Sequence, residues 1–87
     1  MRERTLTLTN PTGLHARPAA EMVKAAAKFK SRITLAGNGR KADAKSIIMV
    51  LGLGLRQSDA VTICAQGEDE EAAVQMLSEL VEQRFHE

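Results

Sequence analysis

The sequence predicts an α+β fold, an open-faced β-sandwich in which helices cover one face of a four-stranded antiparallel sheet. Segments that alternate apolar and polar residues are interspersed with segments whose apolar residues recur at helical spacing, in the order β-α-β-β-α-β-α. Two of the strands are adjacent in the chain and are joined by a glycine-rich hairpin signal. A chain of 87 residues suits one domain, residues 1–87, with one hydrophobic core.

The first strand and the first helix are indicated by their apolar periodicity. Threonine and leucine alternate over Thr5–Thr9, which predicts a strand with its two leucines, Leu6 and Leu8, facing inward. A turn cluster, Asn-Pro-Thr-Gly, follows at residues 10–13. A helix is predicted from about Ala16 to Lys30, and its apolar stripe consists of Ala19, Met22, Val23, Ala26 and Phe29.

A β-hairpin is predicted next. The segment Ser31–Ala36 alternates again, with Ile33 and Leu35 on one face. Glycine at positions 37 and 39, on either side of Asn38, is typical of a tight hairpin turn, and Arg40–Ala44 supplies a short return strand.

The segment Lys45–Leu55 permits two interpretations. Its apolar run, residues 47–51, has the composition of a buried strand. Ser46 is also a good helix N-cap, and Gly52 or Gly54 would end a short helix. We prefer the helix, and the strand stays open at this point.

The last strand and the last helix complete the pattern. A strand is predicted over Ala60–Ala65, with Val61, Ile63 and Ala65 inward, and Gly67 ends it. The acidic residues 68–71 follow, and their negative charge is favourable at the N-terminus of a helix, so they indicate that the last helix begins here. The final helix carries Ala73, Leu77, Leu80 and Val81 at core-facing spacing, with the stem of Arg84 at its edge.

Composition and charge exclude several classes of function. A net charge of +1 and only two aromatic residues, both Phe, argue against a nucleic-acid-binding protein. The longest apolar stretch, residues 47–55, is too short to cross a bilayer, and the first residues contain no apolar signal region. The single cysteine, Cys64, excludes an internal disulfide and predicts a reduced, buried thiol. We therefore expect a cytoplasmic protein without membrane insertion, bound metal or cofactor.

The segment that carries most functional information is Gly13–Ala20, which contains His15 directly before the predicted helix. Pro18 suits a first helical turn, since that turn has no use for its missing N–H. The first N–H groups of a helix have no intrahelical partner and lie at the positive end of its dipole, so they attract anions. Arg17 adds a forked cation that matches phosphate oxygens. An ordinary capping role for the histidine is the alternative, but a nucleophilic imidazole beside an anion site indicates a phosphoryl-carrying histidine.

Three motifs give the chain its resemblance to the HPr family, the histidine-containing phosphocarriers of the bacterial phosphoenolpyruvate:sugar phosphotransferase system. They are the segment 13–19, the run that begins at Lys45 and ends in Leu53-Gly54, and the segment 67–70, which stand at the family's spacing without insertions. The resemblance implies that His15 accepts phosphate on Nδ1 from phosphorylated enzyme I and passes it to enzyme IIA domains. It also implies that Arg17, with the backbone N–H groups of Ala16 and Arg17, stabilises the phosphate. Such a carrier is a substrate of two enzymes and not an enzyme.

The resemblance also implies a regulatory site and a docking surface. Ser46 matches the family's regulatory serine, which HPr kinase/phosphorylase modifies and which creates a surface for a LacI-type catabolite repressor in Gram-positive relatives. Phosphate at a helix N-cap is compatible with the helix dipole and places negative charge on an apolar surface. The expected docking residues of this monomeric protein are Thr12, Ala20, Lys24, Ile47, Ile48, Leu51 and Leu53.

Other interpretations compete with this one. We expect one or two of Ile47, Ile48 and Leu51 to belong to the core. Lys24 and Lys28 serve as solubilising charges or as contacts to acidic partners, and His86 as a solvated residue of a charged tail. A carrier of the nitrogen-related branch and a purely regulatory protein that works through Ser46 are the functional alternatives. The presence of His15 argues against the second, and the Lys45-Ser46-Ile47 motif argues against the first.

Overall fold

The computed structural model describes residues 1–86 and shows the predicted α+β architecture. Its strands are β1 (Arg2–Thr7), β2 (Arg32–Gly37), β3 (Arg40–Asp43) and β4 (Ala60–Gln66). Its helices are α1 (Ala16–Ala26), α2 (Ile47–Gly52) and α3 (Glu70–Glu82), followed by a short turn at residues 84–86. Among the described residues, no helix is both long enough and apolar enough to cross a bilayer.

The four strands form one antiparallel sheet in the spatial order β1-β4-β2-β3. Strand β4 lies between β1 and β2, with Thr5 opposite Thr62 and Leu35 opposite Ile63. Helix α3 packs on β1 and β4, whereas α2 packs on α1 and on β3 at the other edge. The helices therefore cover one face of the sheet and leave the other face open, as predicted.

The core lies between the sheet and the helices. Alternation in β2 and β4 buries every second residue, so that Val61, Ile63 and Ala65 of β4 lie beside Ile33 and Leu35 of β2. The helices contribute the buried residues Ala19, Met22, Ala26, Val50, Ala73, Leu77 and Val81. Cys64 faces the open side with Thr62 and is half-buried, so the prediction of a buried thiol is corrected.

The ends of several elements differ from the sequence-based prediction. Strand β1 begins at Arg2 and ends at Thr7, so the buried Leu8 follows the strand. Helix α1 ends at Ala26, because the chain leaves the helix through turns at residues 27–28, and Phe29 packs on the core from outside it. Helix α3 ends at Glu82, so Arg84 lies beyond it in a turn where residues 84–86 all have positive φ. Local apolar spacing predicted the elements correctly but not their ends.

The ambiguous segment is a short helix, which confirms the preferred interpretation. Ser46 is its N-cap, and the Ser46 hydroxyl accepts a hydrogen bond of 3.4 Å from Met49 N–H. At the other end, Arg40 donates to the Gly52 carbonyl and Asn38 donates to the carbonyls of residues 53 and 54. Both ends of this six-residue helix therefore receive partners for backbone groups that a helix cannot satisfy itself.

The acidic segment 68–71 has a structural role at the start of α3. Glu70 accepts a hydrogen bond from Gly67 N–H, and Glu68 pairs with Lys30. Asp69 accepts hydrogen bonds from Lys30 N–H and from both the N–H and the hydroxyl of Ser31. This last carboxylate therefore ties the chain that enters β2 to the chain that enters α3.

Candidate functional site

His15 occupies the N-cap position of α1 with an extended backbone, φ −83° and ψ −169°. Its carbonyl accepts the first helical hydrogen bond, from Ala19 N–H at 2.9 Å. Its imidazole makes no capping hydrogen bond, and the residue is exposed. The ring is therefore free to act as a nucleophile at the surface.

The first turn of α1 leaves an anion-binding arrangement next to this ring. Pro18 has no N–H, and the N–H groups of Ala16 and Arg17 have no hydrogen-bond acceptor among residues 1–86. No acidic residue lies in the first turn, so the positive end of the helix dipole is not neutralised locally. The exposed guanidinium of Arg17 forms no ion pair with any described residue. Two unpartnered N–H groups and the positive end of the dipole therefore lie at the His15 end of α1, and Arg17 supplies an exposed guanidinium in the same turn.

The loop before His15 is held rigidly, although it is at the surface. Asn10 is fully buried, and its side-chain amide donates 2.8 Å to the Gly13 carbonyl while Gly13 N–H donates back to the Asn10 carbonyl. Leu14 is buried, and its N–H donates 3.0 Å to the Leu55 carbonyl. These bonds fix where the chain enters α1 and hence where the His15 side chain begins.

Gly13 permits the closest of these contacts. It has φ +60°, and a Cβ at this position would lie 2.6 Å from both the Leu55 carbonyl oxygen and the Arg56 Cα. Only glycine accommodates both the positive φ and the close approach of the 55–56 backbone. The His15 loop is therefore packed directly on the loop that follows α2.

The structure brings the backbone of a second basic residue, Arg56, to this loop, and the sequence analysis did not identify it. Arg56 passes beside Gly13, is exposed, and its side chain forms no ion pair with residues 1–86. In the sequence, Arg56 is a basic residue that follows the apolar run and lies 41 positions after His15, so nothing there indicated that it is close to the His15 loop. Local spacing does not show such a contact, because it depends on tertiary packing.

Most of the expected docking residues are exposed on α1, on α2 and in the loop before α1. Among them Ile48 is 79% exposed, and Ile47 and Leu51 are 38% and 40% exposed. Helices α1 and α2 pack together, and we call the exposed residues of this set the α1–α2 surface: Thr12, Ala20, Lys24, Ile47, Ile48 and Leu51.

Two expectations about this region are wrong. Leu53 is 3% exposed, so its side chain belongs to the core and not to a docking surface. None of Ile47, Ile48 and Leu51 is buried, because the short helix directs Val50 inward and the following residue, Leu53, takes the second core position. Met49, which the sequence analysis did not select, is 48% exposed and adds to the apolar area of α2.

Other selected residues have separate positions. Lys24 and Lys28 are exposed, as expected for the polar side of α1, and His86 is exposed in the last turn. Ser46 is half-buried at the start of α2, and Lys45 beside it donates 2.7 Å to the Phe29 carbonyl. Within residues 1–86, no group of three or more His, Cys, Asp or Glu side chains is arranged to hold a metal ion.

A family model and a sequence relative both match this chain over nearly its whole length. A family model described as the PTS HPr component phosphorylation site matches residues 2–83. The phosphocarrier protein HPr of Xylella fastidiosa strain Temecula1 is 47% identical over 87 residues, which are 100% of this chain and 98% of the relative.

Solved structures agree with the sequence comparison. HPr-C-His from Thermoanaerobacter tengcongensis superimposes with a TM-score of 0.96 at 45% identity, covering 100% of this chain and 98% of that one. An HPr dimer from the same organism has a TM-score of 0.80 at 45% identity, with 100% of both chains covered.

Proposed function

Since the chain belongs to the HPr family of phosphocarriers of the phosphotransferase system, we propose that it takes a phosphoryl group from phosphorylated enzyme I on His15 and delivers it to enzyme IIA domains for sugar uptake. The observation that carries the proposal is the exposed imidazole at the N-cap of α1, a helix whose first turn has unpartnered N–H groups and the exposed Arg17. A protein of this kind is a carrier and not a catalyst.

The proposed transfer uses the imidazole in two ways. Neutral His15 attacks phosphorus through Nδ1, so that an N–P bond forms as the bond from phosphorus to the donor breaks. The same bond breaks when a nucleophile of the acceptor attacks, and the imidazole leaves. Imidazole suits both steps because it is a neutral nucleophile near pH 7 and a good leaving group once it is protonated. Arg17 and the N–H groups of Ala16 and Arg17 stabilise charge on the transferring group.

Mass spectrometry of the phosphorylated protein tests this proposal. Incubation with phosphoenolpyruvate and enzyme I is expected to give a phosphoprotein that is labile in acid and stable in base, as phosphohistidine is. His15→Ala is expected to abolish labelling, and His86→Ala, which changes the chain's other histidine, to leave it unchanged. An unaltered mass of the wild-type protein, or equal labelling of His15→Ala, would contradict the proposal.

Two further expectations belong to the same proposal. The partners are expected to dock on the α1–α2 surface, because three large apolar side chains of α2, Ile47, Ile48 and Leu51, are exposed there and Lys24 is exposed on α1. The protein is expected to act as one domain, as a monomer and in the cytoplasm. The free, half-buried thiol of Cys64 fits a reducing compartment.

We also propose that Ser46 is a regulatory phosphorylation site for an HPr kinase/phosphorylase. The hydroxyl caps α2 through a hydrogen bond of 3.4 Å, and phosphate oxygens can accept at the same helix N-terminus, so the modification is compatible with the helix. The added charge would stand at the edge of the exposed apolar residues of α2 and oppose acidic partners. In organisms that have a LacI-type catabolite repressor, the modified surface is the candidate for binding it.

Phosphorylation by the kinase tests this second site separately. With ATP and HPr kinase/phosphorylase, the wild-type protein is expected to gain an acid-stable phosphate that Ser46→Ala lacks and that Ser58→Ala, altered at another exposed serine, retains. Equal labelling of Ser46→Ala would show that the regulatory assignment is wrong while leaving the carrier function intact.

A further inference from the structure

The loop before α1 lies alongside the segment that follows α2, residues 55–59. Leu8 exchanges two hydrogen bonds with residues 58 and 59 of this segment, of 2.7 and 2.9 Å. At the other end of the loop, Leu14 N–H donates 3.0 Å to the Leu55 carbonyl. The two segments are therefore joined at both ends, and Arg56 lies between the two joins.

The backbone of Arg56 is held on both sides. Its N–H donates 2.8 Å to the Asp59 carboxylate, and its carbonyl accepts a hydrogen bond of 3.1 Å from Asp59 N–H. The Cβ that Gly13 lacks would lie 2.6 Å from Arg56 Cα, so the Cα atoms of these two residues are at most about 4 Å apart. The backbone alone therefore sets the position of Arg56 on the His15 loop.

The guanidinium of Arg56 has no partner within the part of the chain that the structure describes. The residue is exposed, and its side chain forms neither an ion pair nor a hydrogen bond with residues 1–86. The acidic residue of the same turn, Asp59, bonds to the backbone N–H of Arg56 and not to its side chain. A fixed backbone thus carries a cation that is available to an added anion.

This cation is within reach of a phosphoryl group on His15. The Cα atoms of Gly13 and His15 are at most about 7 Å apart, so His15 Cα lies within about 11 Å of Arg56 Cα. With bonds of about 1.5 Å, an extended arginine side chain spans about 7 Å, and an imidazole with a phosphoryl group on Nδ1 spans about 5 Å. Rotation of the two exposed side chains is therefore enough to bring a guanidinium N–H to a phosphate oxygen.

The charge of a phosphoryl group calls for more than one cation. Such a group carries about −1.5 to −2 charge near pH 7 and has three acceptor oxygens. The N-terminus of α1 offers the equivalent of about half a positive charge, and Arg17 adds one more. These two sources fall short of a full dianion, and a second guanidinium removes the difference.

We propose that Arg56 is a second phosphate-binding residue of the His15 site, whose guanidinium contacts the phosphoryl group from the segment that follows α2. The inference rests on the proposed carrier function and deepens it. Arg56 acts in the phosphorylated state, because a neutral imidazole offers a guanidinium no charge to bind. An interaction made only with the phosphorylated form shifts the equilibrium with enzyme I toward that form.

Phosphorus NMR of the chemically phosphorylated protein tests the inference without a partner. Phosphoramidate phosphorylates histidine directly, and every protein in the experiment carries His86→Ala so that His15 is the one histidine. Arg56→Gln is expected to raise the pKa of the phosphoryl group by about half a unit or more, because the dianion loses a neighbouring cation. Arg56→Lys is expected to restore part of this shift, since it keeps the charge but not the fork.

Arg32→Gln is the matched control. Arg32 is also exposed and without an ion pair among the described residues, but it lies opposite Gln66, at the end of β4 away from residues 55–59. The variant removes the same charge and is expected to leave the pKa of the phosphoryl group unchanged. Urea midpoints of both variants are expected to match the wild type before phosphorylation, because neither guanidinium has a partner in that state.

Three results would overturn the inference. A phosphoryl pKa in Arg56→Gln equal to that of the wild type would show that the guanidinium does not contact the phosphate. An equal rise in Arg32→Gln would assign the effect to net charge. Slower transfer from enzyme I in Arg56→Gln, with an unchanged pKa, would place Arg56 in contact with the partner instead. Failure of enzyme I to phosphorylate the wild type would contradict the carrier function alone, since chemical phosphorylation does not need enzyme I.

Discussion

At the scale of single residues, the position of His15 is determined by residues that would not touch a phosphate. Buried Asn10 closes the loop on Gly13, and Leu14 anchors it in the core and to the Leu55 carbonyl. The imidazole itself is exposed and unconstrained by a capping hydrogen bond. The site therefore combines a rigid backbone with a free side chain, which suits a group that must meet two different partners.

Gly13→Ala is expected to destabilise the protein because the new Cβ would lie 2.6 Å from backbone atoms of residues 55 and 56. Strain of a residue in the left-handed region costs about 1–3 kcal/mol, and the backbone contact adds to it. Gly39→Ala is the matched control, since Gly39 has a similar φ of +74° but a Cβ added there would have no atom within 4 Å. Urea unfolding measures both. An equal loss of stability in the two variants would show that the loop contact at Gly13 is unimportant.

At the scale of the elements, α2 is unusual in exposing more apolar side chains than it buries. Val50 is its buried residue, while the side chains of Ile47, Ile48, Met49 and Leu51 are all at least 38% exposed. Hydrogen bonds at both ends compensate for the small buried area of this helix. Its surface is thus available to a partner without loss of core packing.

Ile48→Glu is expected to change the free energy of unfolding by less than about 0.5 kcal/mol, as for most surface substitutions. It is also expected to slow phosphoryl transfer from enzyme I, because it places a charge in the exposed apolar area of α2. Gln75→Glu is the control, since it adds the same charge at an exposed residue on the side of α3 that faces β1, away from α1 and α2. Stopped-flow transfer assays and urea unfolding give the two quantities. Equal slowing in both variants would remove α2 from the docking surface.

The elements themselves were predictable from the sequence, and their ends were less so. The sequence predicted the buried faces of β2 and β4 correctly, because side chains alternate between the two faces of a sheet and the apolar residues of these strands all fall on one face. The Asn38-Gly39 turn likewise predicted the hairpin correctly. The end of α1 was predicted four residues too late, since Phe29 continues the apolar stripe but packs on the core after the helix has ended. A stripe of apolar residues shows what is buried, not whether the backbone is still helical.

The C-terminal turn is an element that the sequence analysis did not anticipate. Residues 84–86 have φ between 52° and 63°, and this left-handed turn inserts Phe85 into the core at 0% exposure. Non-glycine residues adopt this conformation at a cost of roughly 1–2 kcal/mol each, so burial of the ring must offset it. The exposed His86 lies near α1 and α3, where it borders a groove with Glu21 and Leu80.

Phe85→Ala is expected to lower the free energy of unfolding by about 3–5 kcal/mol, the usual cost of deleting a buried aromatic side chain. Phe29→Ala is the comparison, because the ring of Phe29 is only partly buried, and a smaller loss is expected there. Thermal and urea unfolding followed by circular dichroism measure both variants. A loss in Phe85→Ala no larger than that in Phe29→Ala would show that the turn does not anchor the C-terminus.

At the scale of the whole molecule, the helices on the covered face are distributed between the two edges of the sheet. Helix α2 packs on β3 at one edge, α3 packs on β1 and β4 at the other, and α1 packs on both α2 and α3. Sequence reasoning selected His15 and Arg17 as candidates from local spacing, because the helix start and the cation are only two residues apart. It missed Arg56 and assigned Leu53 to the surface, since both depend on how the loop after α2 folds back on Gly13.

Asp69 joins two segments that are far apart in the sequence, the residues that lead into β2 and the residues that lead into α3. Hydrogen bonds from the Ser31 hydroxyl and from Lys30 N–H hold the pKa of the Asp69 carboxyl below its ordinary value, because they favour the charged form. Gly67 lies directly against Ser31, so this contact closes the start of β2 on the start of α3. The folded protein thus binds a proton at Asp69 less readily than the unfolded chain does.

It follows that Asp69 contributes stability above its unfolded pKa of about 3.9 and loses that contribution as the pH falls through its lower folded pKa. Asp69→Asn is therefore expected to be less stable than the wild type at pH 7, with a difference that shrinks as the pH falls below about 4. Urea midpoints measured between pH 2 and pH 7 give the comparison. Glu79→Gln, which changes an exposed carboxylate in the middle of α3, is expected to show no such pH-dependent difference. A difference between Asp69→Asn and the wild type that stayed constant over the whole pH range would mean that the charge of Asp69 does not hold the two segments together.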